Sequence, residues 1–167
     1  GEDEAFEMYE KGKEMLESLG FHRYEISNYA KEGHESRHNL NYWNNGEYVG
    51  LGLNSHSAMH IGGKWLRWAN KSEFEAYLAD IDEGKRPLAD EPQTIERAEE
   101  MFECVMLGLR KTAGITNGEF EARFGESLFT TFSKAIAQLD EIGLLIKTAD
   151  GIRLNDRGID IENLALM

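Results

Sequence analysis

The sequence has one cysteine, two prolines and no long apolar run, and each scarcity removes a class of function. A single cysteine, Cys104, cannot form an internal disulfide, and it cannot supply a cysteine-rich zinc or iron–sulfur site. It stands among Met101, Phe102, Val105 and Met106 in a helical pattern, the setting of a small buried hydrophobe. No stretch approaches the roughly 20 apolar residues that a membrane helix requires. Basic residues are also short, 18 Lys and Arg against 31 Asp and Glu, for a net charge of −13. Such a field repels phosphate backbones and anionic lipid, so neither nucleic acid nor strong membrane association is expected. The first ten residues are acidic and helical in pattern, unlike a secretory signal, and the expected location is the cytoplasm.

What is present reads as α+β. Residues 2–19 form a helical pattern with a stripe of Phe6, Met8, Tyr9, Met15, Leu16 and Leu19, stopped by Gly20. Residues 21–27 alternate as a strand. This helix–strand step looks like one unit of a larger α/β domain, so the chain is expected to begin mid-domain. Residues 28–45 read as irregular and polar. Residues 47–53 and 55–60 are strand candidates, and Ile61-Gly62-Gly63-Lys64 turns the chain back through residues 65–68. Residues 72–83 form an amphipathic helix with Ser72 as its expected cap and Phe74, Tyr77, Leu78 and Ile81 on one face. Residues 87–93, which hold both prolines, are expected to link a portion 1–86 to a small domain 94–167. That domain reads as a helix over 94–111, a capping box at Thr116 and Glu119, a helix over 127–142, a hairpin across Ala149-Asp150-Gly151 and a last short helix from Asp156. Three helices followed by a hairpin is a winged-helix-like order. It carries eight bases against thirteen acids, however, and Lys134 is the sole base of the 127–142 helix. A DNA recognition helix needs far more.

Two segments hold side chains suited to chemistry. The first is His38-Asn39-Leu40-Asn41-Tyr42-Trp43. A neutral imidazole can ligate haem iron, and Tyr42 and Trp43 offer flat apolar surface to a large ring. The same residues also suit an ordered loop whose aromatics pack and whose polar groups bond to backbone. The second is Gly50-Leu51-Gly52-Leu53-Asn54-Ser55-His56-Ser57. Its glycines allow a backbone to approach either a ligand or a neighbouring strand closely. It departs from the dinucleotide fingerprint, since the sixth position is Ser55 and no helix follows. His56 and His60 lie roughly 13 Å apart on a strand, too far to share a metal.

Taken in order, three blocks resemble the HemN/HemW family of radical SAM proteins, the oxygen-independent coproporphyrinogen III oxidases and their haem-chaperone relatives. Tyr24-Glu25-Ile26-Ser27-Asn28-Tyr29-Ala30 is similar to that family's YEISN-F/Y-A block. His38 to Trp43 fits its HNxxYW motif at every fixed position. Gly50 to Ser57 is similar to its GxGxGAHS block, departing at Asn54, where Gly is usual, and at Ser55, where Ala is usual. Asn tolerates the left-handed backbone better than other non-glycine residues. The tail from Thr94 resembles the family's C-terminal domain more loosely.

The resemblance implies the C-terminal edge of a partial (β/α) barrel with a β-hairpin and helices, followed by the winged-helix-like domain. It implies a parent protein with a CxxxCxxC motif, a [4Fe–4S] cluster and S-adenosylmethionine. The chain alone is expected to be inactive, because Cys104 cannot replace that motif. His38, Asn39, Tyr42 and Trp43 become candidate haem-binding residues, with His38 as the possible iron ligand. Gly50, Gly52, Asn54, His56 and Ser57 become candidates for the edge of a cofactor pocket. Implied partners are a tetrapyrrole and haem-acceptor proteins. The competing expectation is a stand-alone, non-enzymatic protein-binding module with a wing-like tail.

Overall fold

The computed structural model describes residues 2–161, without the side chains of residues 2, 3 and 6. The expected stripe residue Phe6 and the expected domain end at 162–167 therefore lie outside what is described. The element order is α1 (Glu2–Ser18), β1 (His22–Arg23), β2 (Tyr29–Ala30), α2 (Arg37–Trp43), β3 (His56–Ile61), β4 (Lys64–Ala69), α3 (Phe74–Asp82), β5 (Gln93–Ile95), α4 (Arg97–Gly108), β6 (Ile115–Thr116), α5 (Asn117–Phe124), α6 (Leu128–Thr131), α7 (Ser133–Glu141), β7 (Leu145–Lys147), β8 (Gly151–Leu154) and α8 (Asp156–Asp160). The strands form three small antiparallel sheets, β1-β2, β3-β4-β5 and β6-β8-β7. The mixed α and β content agrees with the sequence, but among the described residues no sheet closes into a barrel. No helix among them is long and apolar enough to cross a membrane.

The chain divides into two compact units, one of residues 1–43 and 105–167 and the other of residues 44–104. In the first, Leu109, Ile115, Phe120, Leu128, Ile152 and Leu154 form the most buried core. α5 begins on the expected capping box, with Thr116 and Glu119 satisfying each other's backbone N–H groups. The helix expected over 127–142 is broken at Phe132 into α6 and α7. Phe132 leaves helical geometry and meets Phe120 edge-on, with centroids 5.8 Å apart. Asn117 starts α6, its Oδ1 accepting from the Leu128 N–H and the Ser127 hydroxyl. α1 matches its expectation closely, yet Met8, Met15 and Leu19 on its stripe are exposed.

In the second unit, Ala58, Trp65 and Ile95 make the core of the β3-β4-β5 sheet, with Tyr48 packed against it. Gly62 and Gly63 both take positive φ, 61° and 77°, as a tight two-residue hairpin between β3 and β4 requires. The strand expected over 47–53 reduces to one bridge, Tyr48 to Ala58. Beyond it the chain turns, because Gly52 (φ 95°) and Asn54 (φ 54°) are left-handed. α3 is capped by the Glu73 carboxylate, not by Ser72: it accepts from the N–H groups of Glu75 and Ala76. The face expected to be buried leaves Phe74, Leu78 and Ile81 exposed. Within residues 87–93, Leu88 bridges Asn70 and Gln93 enters β5. Cys104 is a buried thiol, as its apolar neighbours indicate.

Candidate functional site

The segment expected to be irregular contains α2, and the HNLNYW block occupies nearly all of it. The two asparagines are weak helix formers and hide the periodicity. The readable signal was Ser36, whose hydroxyl accepts from the Asn39 N–H (3.3 Å) while its carbonyl accepts from the Leu40 N–H (2.9 Å). A serine three residues ahead of an unsatisfied N–H is an ordinary helix start.

On this helix His38 is exposed, and Asn39, Tyr42 and Trp43 are half-buried. The His38 ring meets the Tyr42 ring edge-on at 4.8 Å, in the stable T-shaped arrangement. Neither His38 nitrogen has a hydrogen-bond partner among the described residues, so a lone pair is open to an incoming group. The other histidines with close carboxylates are committed: His22 lies 2.9 Å from Glu35, and His60 lies 3.4 Å from Glu100 and 3.6 Å from Glu47. Glu35 is held below the usual carboxylate range, first by its own backbone N–H, then by the Gly33 N–H and by His22. Asn39 donates to the Tyr24 hydroxyl at 3.3 Å. The Arg110 guanidinium lies 5.2 Å from the Trp43 ring centroid, within cation–π range.

The Gly50 to Ser57 block belongs to the other unit and is built differently. Its polar groups bond to one another. The Ser57 hydroxyl, on a residue 1% exposed, accepts from the Gly50 N–H at 3.0 Å. Ser55 donates to the Gly52 carbonyl, and Asn70 Nδ2 donates to both that carbonyl and the Ser55 hydroxyl. A Cβ on Gly50 would lie 2.2 Å from the His56 carbonyl oxygen, so the chain's own backbone explains that glycine. Asn54 adopts the left-handed turn and donates its N–H to the Lys71 carbonyl at 2.9 Å. His56 is exposed and lines a cavity of about 230 Å³ with Arg67, Trp68, Asp90, Glu91 and Gln93. A second cavity, about 520 Å³ and lined by Lys13, Glu17, Phe21, His22, Arg23 and Asp156, holds none of the candidate residues.

Sequence reasoning missed Tyr24 and Arg110 as supports of the HNLNYW helix. Tyr24 could have been suspected from its place in the YEISN block, but nothing local marks Arg110. Among the described residues no three His, Cys, Asp or Glu side chains are grouped as a metal site.

The HemN C-terminal domain family matches residues 95–161. The heme chaperone HemW of Bacillus subtilis is 37% identical over 157 residues, covering 94% of this chain and 40% of that protein. The mitochondrial radical S-adenosyl methionine domain-containing protein 1 of Bos taurus is 32% identical, covering 98% of this chain and 38% of that protein. The solved structure of coproporphyrinogen III oxidase, HemN, from Escherichia coli, described as a radical SAM enzyme, superposes with a TM-score of 0.71 at 16% identity, over 97% of this chain and 40% of that one. The chain thus spans about 40% of the length of the curated relatives it matches. The sequence blocks, the domain match and the shared fold together place the chain in the HemN/HemW family.

Proposed function

We propose that this chain is the haem-facing part of a HemW-type haem chaperone, a radical SAM relative in haem metabolism, in which His38 would hold the haem by lending its imidazole to the iron. The observation that carries the reading is His38 itself: an exposed imidazole with no hydrogen-bonded nitrogen, set edge-on to Tyr42 on a short helix. Imidazole is an ordinary haem ligand, and an aromatic neighbour gives the macrocycle an apolar face. The residues therefore fit haem. They do not fit a [4Fe–4S] cluster, which needs several thiolates where this chain has one buried cysteine. The cluster and S-adenosylmethionine belong, in this reading, to a parent protein whose barrel residues 1–86 adjoin. Residues 94–167 follow a linker at 87–93 as the C-terminal domain. The Gly50 to Ser57 block then forms a pocket edge through its fold, with the exposed His56 supplying its imidazole.

Haem delivery requires an acceptor protein, and the acidic winged-helix-like tail suits protein docking better than DNA. A purely protein-binding role is the second reading. It is favoured by exposed Val49, Leu51, Phe74 and Ile81 in the 44–104 unit. Titration of the protein with haemin separates the two. The haem reading predicts a saturable shift of the Soret band that His38→Ala weakens. An identical shift in His38→Ala removes His38 from the site, and no shift in the wild type leaves the protein-binding reading.

A further inference from the structure

We infer that the HNLNYW helix is built from two i, i+4 pairs with separate tasks, and that Tyr24 and Arg110 are positioning residues for His38. The inference rests on the haem reading above and assigns roles that the motif itself does not reveal.

Residues four apart share a helix face. His38 and Tyr42 form one pair, exposed and half-buried, with their rings in contact. Asn39 and Trp43 form the other, both half-buried, and each meets a residue from elsewhere in the same unit. The two faces are about 100° apart around the helix axis. Fixing the Asn39/Trp43 face therefore sets the direction in which His38 is presented.

The helix needs such fixing. At seven residues α2 is too short to persist by itself. Its first turn rests on Ser36 and its two inward side chains on Tyr24 and Arg110. These two supports are not independent. The Tyr24 carbonyl accepts from the Thr112 N–H (3.1 Å), and the Ile26 N–H donates to the Arg110 carbonyl (3.0 Å). Glu25 and Lys111 are bridge partners between them. Both supports thus project from one short antiparallel ladder, residues 24–26 against 110–112. Tyr24 is 7% exposed, and its N–H also donates to the Asn28 carbonyl, so its hydroxyl is held in place for Asn39. Asn39 and Trp43, candidates for haem contact on sequence grounds, become anchors.

Haemin titration and backbone amide exchange on the full chain test this together. Tyr24→Phe, Asn39→Ala and Arg110→Ala should each weaken haemin about fivefold, the size of one lost polar contact. At saturation they should give a mixed spectrum in which part of the iron lacks the His38-ligated Soret band. Arg110→Lys, which keeps a cation over the ring, should restore much of both. A residue that merely stabilises the fold would lower the unfolding midpoint without altering the saturated spectrum, and that result overturns the inference. An Asn39→Ala spectrum identical to that of His38→Ala also overturns it, because Asn39 would then touch the haem. Without haemin, the same variants should speed exchange of the amides of residues 40–43. Unchanged exchange refutes the anchoring even if the wild type binds no haem, so the two readings fail separately.

Discussion

Replacing Lys111 by Met should be among the most damaging single changes in the chain. Glu25 is fully buried, and neither carboxylate oxygen has a hydrogen-bond partner among the described residues. Its bridge partner across the short ladder is Lys111, itself 8% exposed. Paired residues of an antiparallel bridge put their side chains on one face, with Cβ atoms about 5 Å apart. The bridge therefore places an opposite charge on the same face of the ladder as the Glu25 carboxylate. Removing an opposite charge beside a fully buried carboxylate should cost up to about 3–5 kcal/mol, because the carboxylate stays desolvated. Against a typical stability of about 5–15 kcal/mol that is a large share. With a urea dependence of about 2 kcal/mol per M, Lys111→Met should lower the unfolding midpoint by about 2 M. Glu25→Met should cost less, because a lysine can extend its ammonium toward solvent. The double variant should recover to within about 1 kcal/mol of wild type, since an apolar pair avoids the desolvation penalty. Urea unfolding of the four proteins closes the cycle. Strictly additive losses, or a Lys111→Met midpoint equal to wild type, would show that the two charges do not compensate each other.

Other outcomes follow from the same geometry. Phe120→Ala should destabilise by about 3–5 kcal/mol in urea unfolding, because Phe120 is fully buried against Phe124 and Phe132. A cost below about 1 kcal/mol would contradict the packing. In a carbon-detected titration Glu35 should ionise below the ordinary value of 4.5, and His22→Ala should return it part of the way. Because its folded-state value is lowered, the stabilisation is present above the unfolded value and lost as pH falls through the folded one. Tyr9 is pushed up to about 12, chiefly by loss of hydration and partly opposed by Arg23. Its contribution is complete below pH 10 and disappears as pH rises toward 12, and ultraviolet titration should find it among the last tyrosines to ionise. A Tyr9 midpoint at the ordinary value would refute that environment.

Elements with strong local signals were legible from sequence. The Thr116 and Glu119 capping box, the Gly62-Gly63 hairpin and α1 all rest on short-range chemistry. What escaped depended on distant residues. The strand expected after Gly20 ends at Arg23 because residues 24–26 turn to pair with 110–112, nearly ninety positions away. α2 was hidden because asparagines 39 and 41 lower its propensity and its supports come from Tyr24 and Arg110. The break at Phe132 follows from a ring contact with Phe120 that no local pattern encodes. At the candidate site, the residue types were readable, but the division between an exposed His38 and an inward Asn39 and Trp43 required the helix.

The most direct measurement of the central claim is the resonance Raman spectrum of the reduced haem complex. Direct ligation by His38 predicts an iron–histidine vibration in the wild type that is lost in His38→Ala and regained on adding free imidazole. The same vibration, undiminished in His38→Ala, would contradict it.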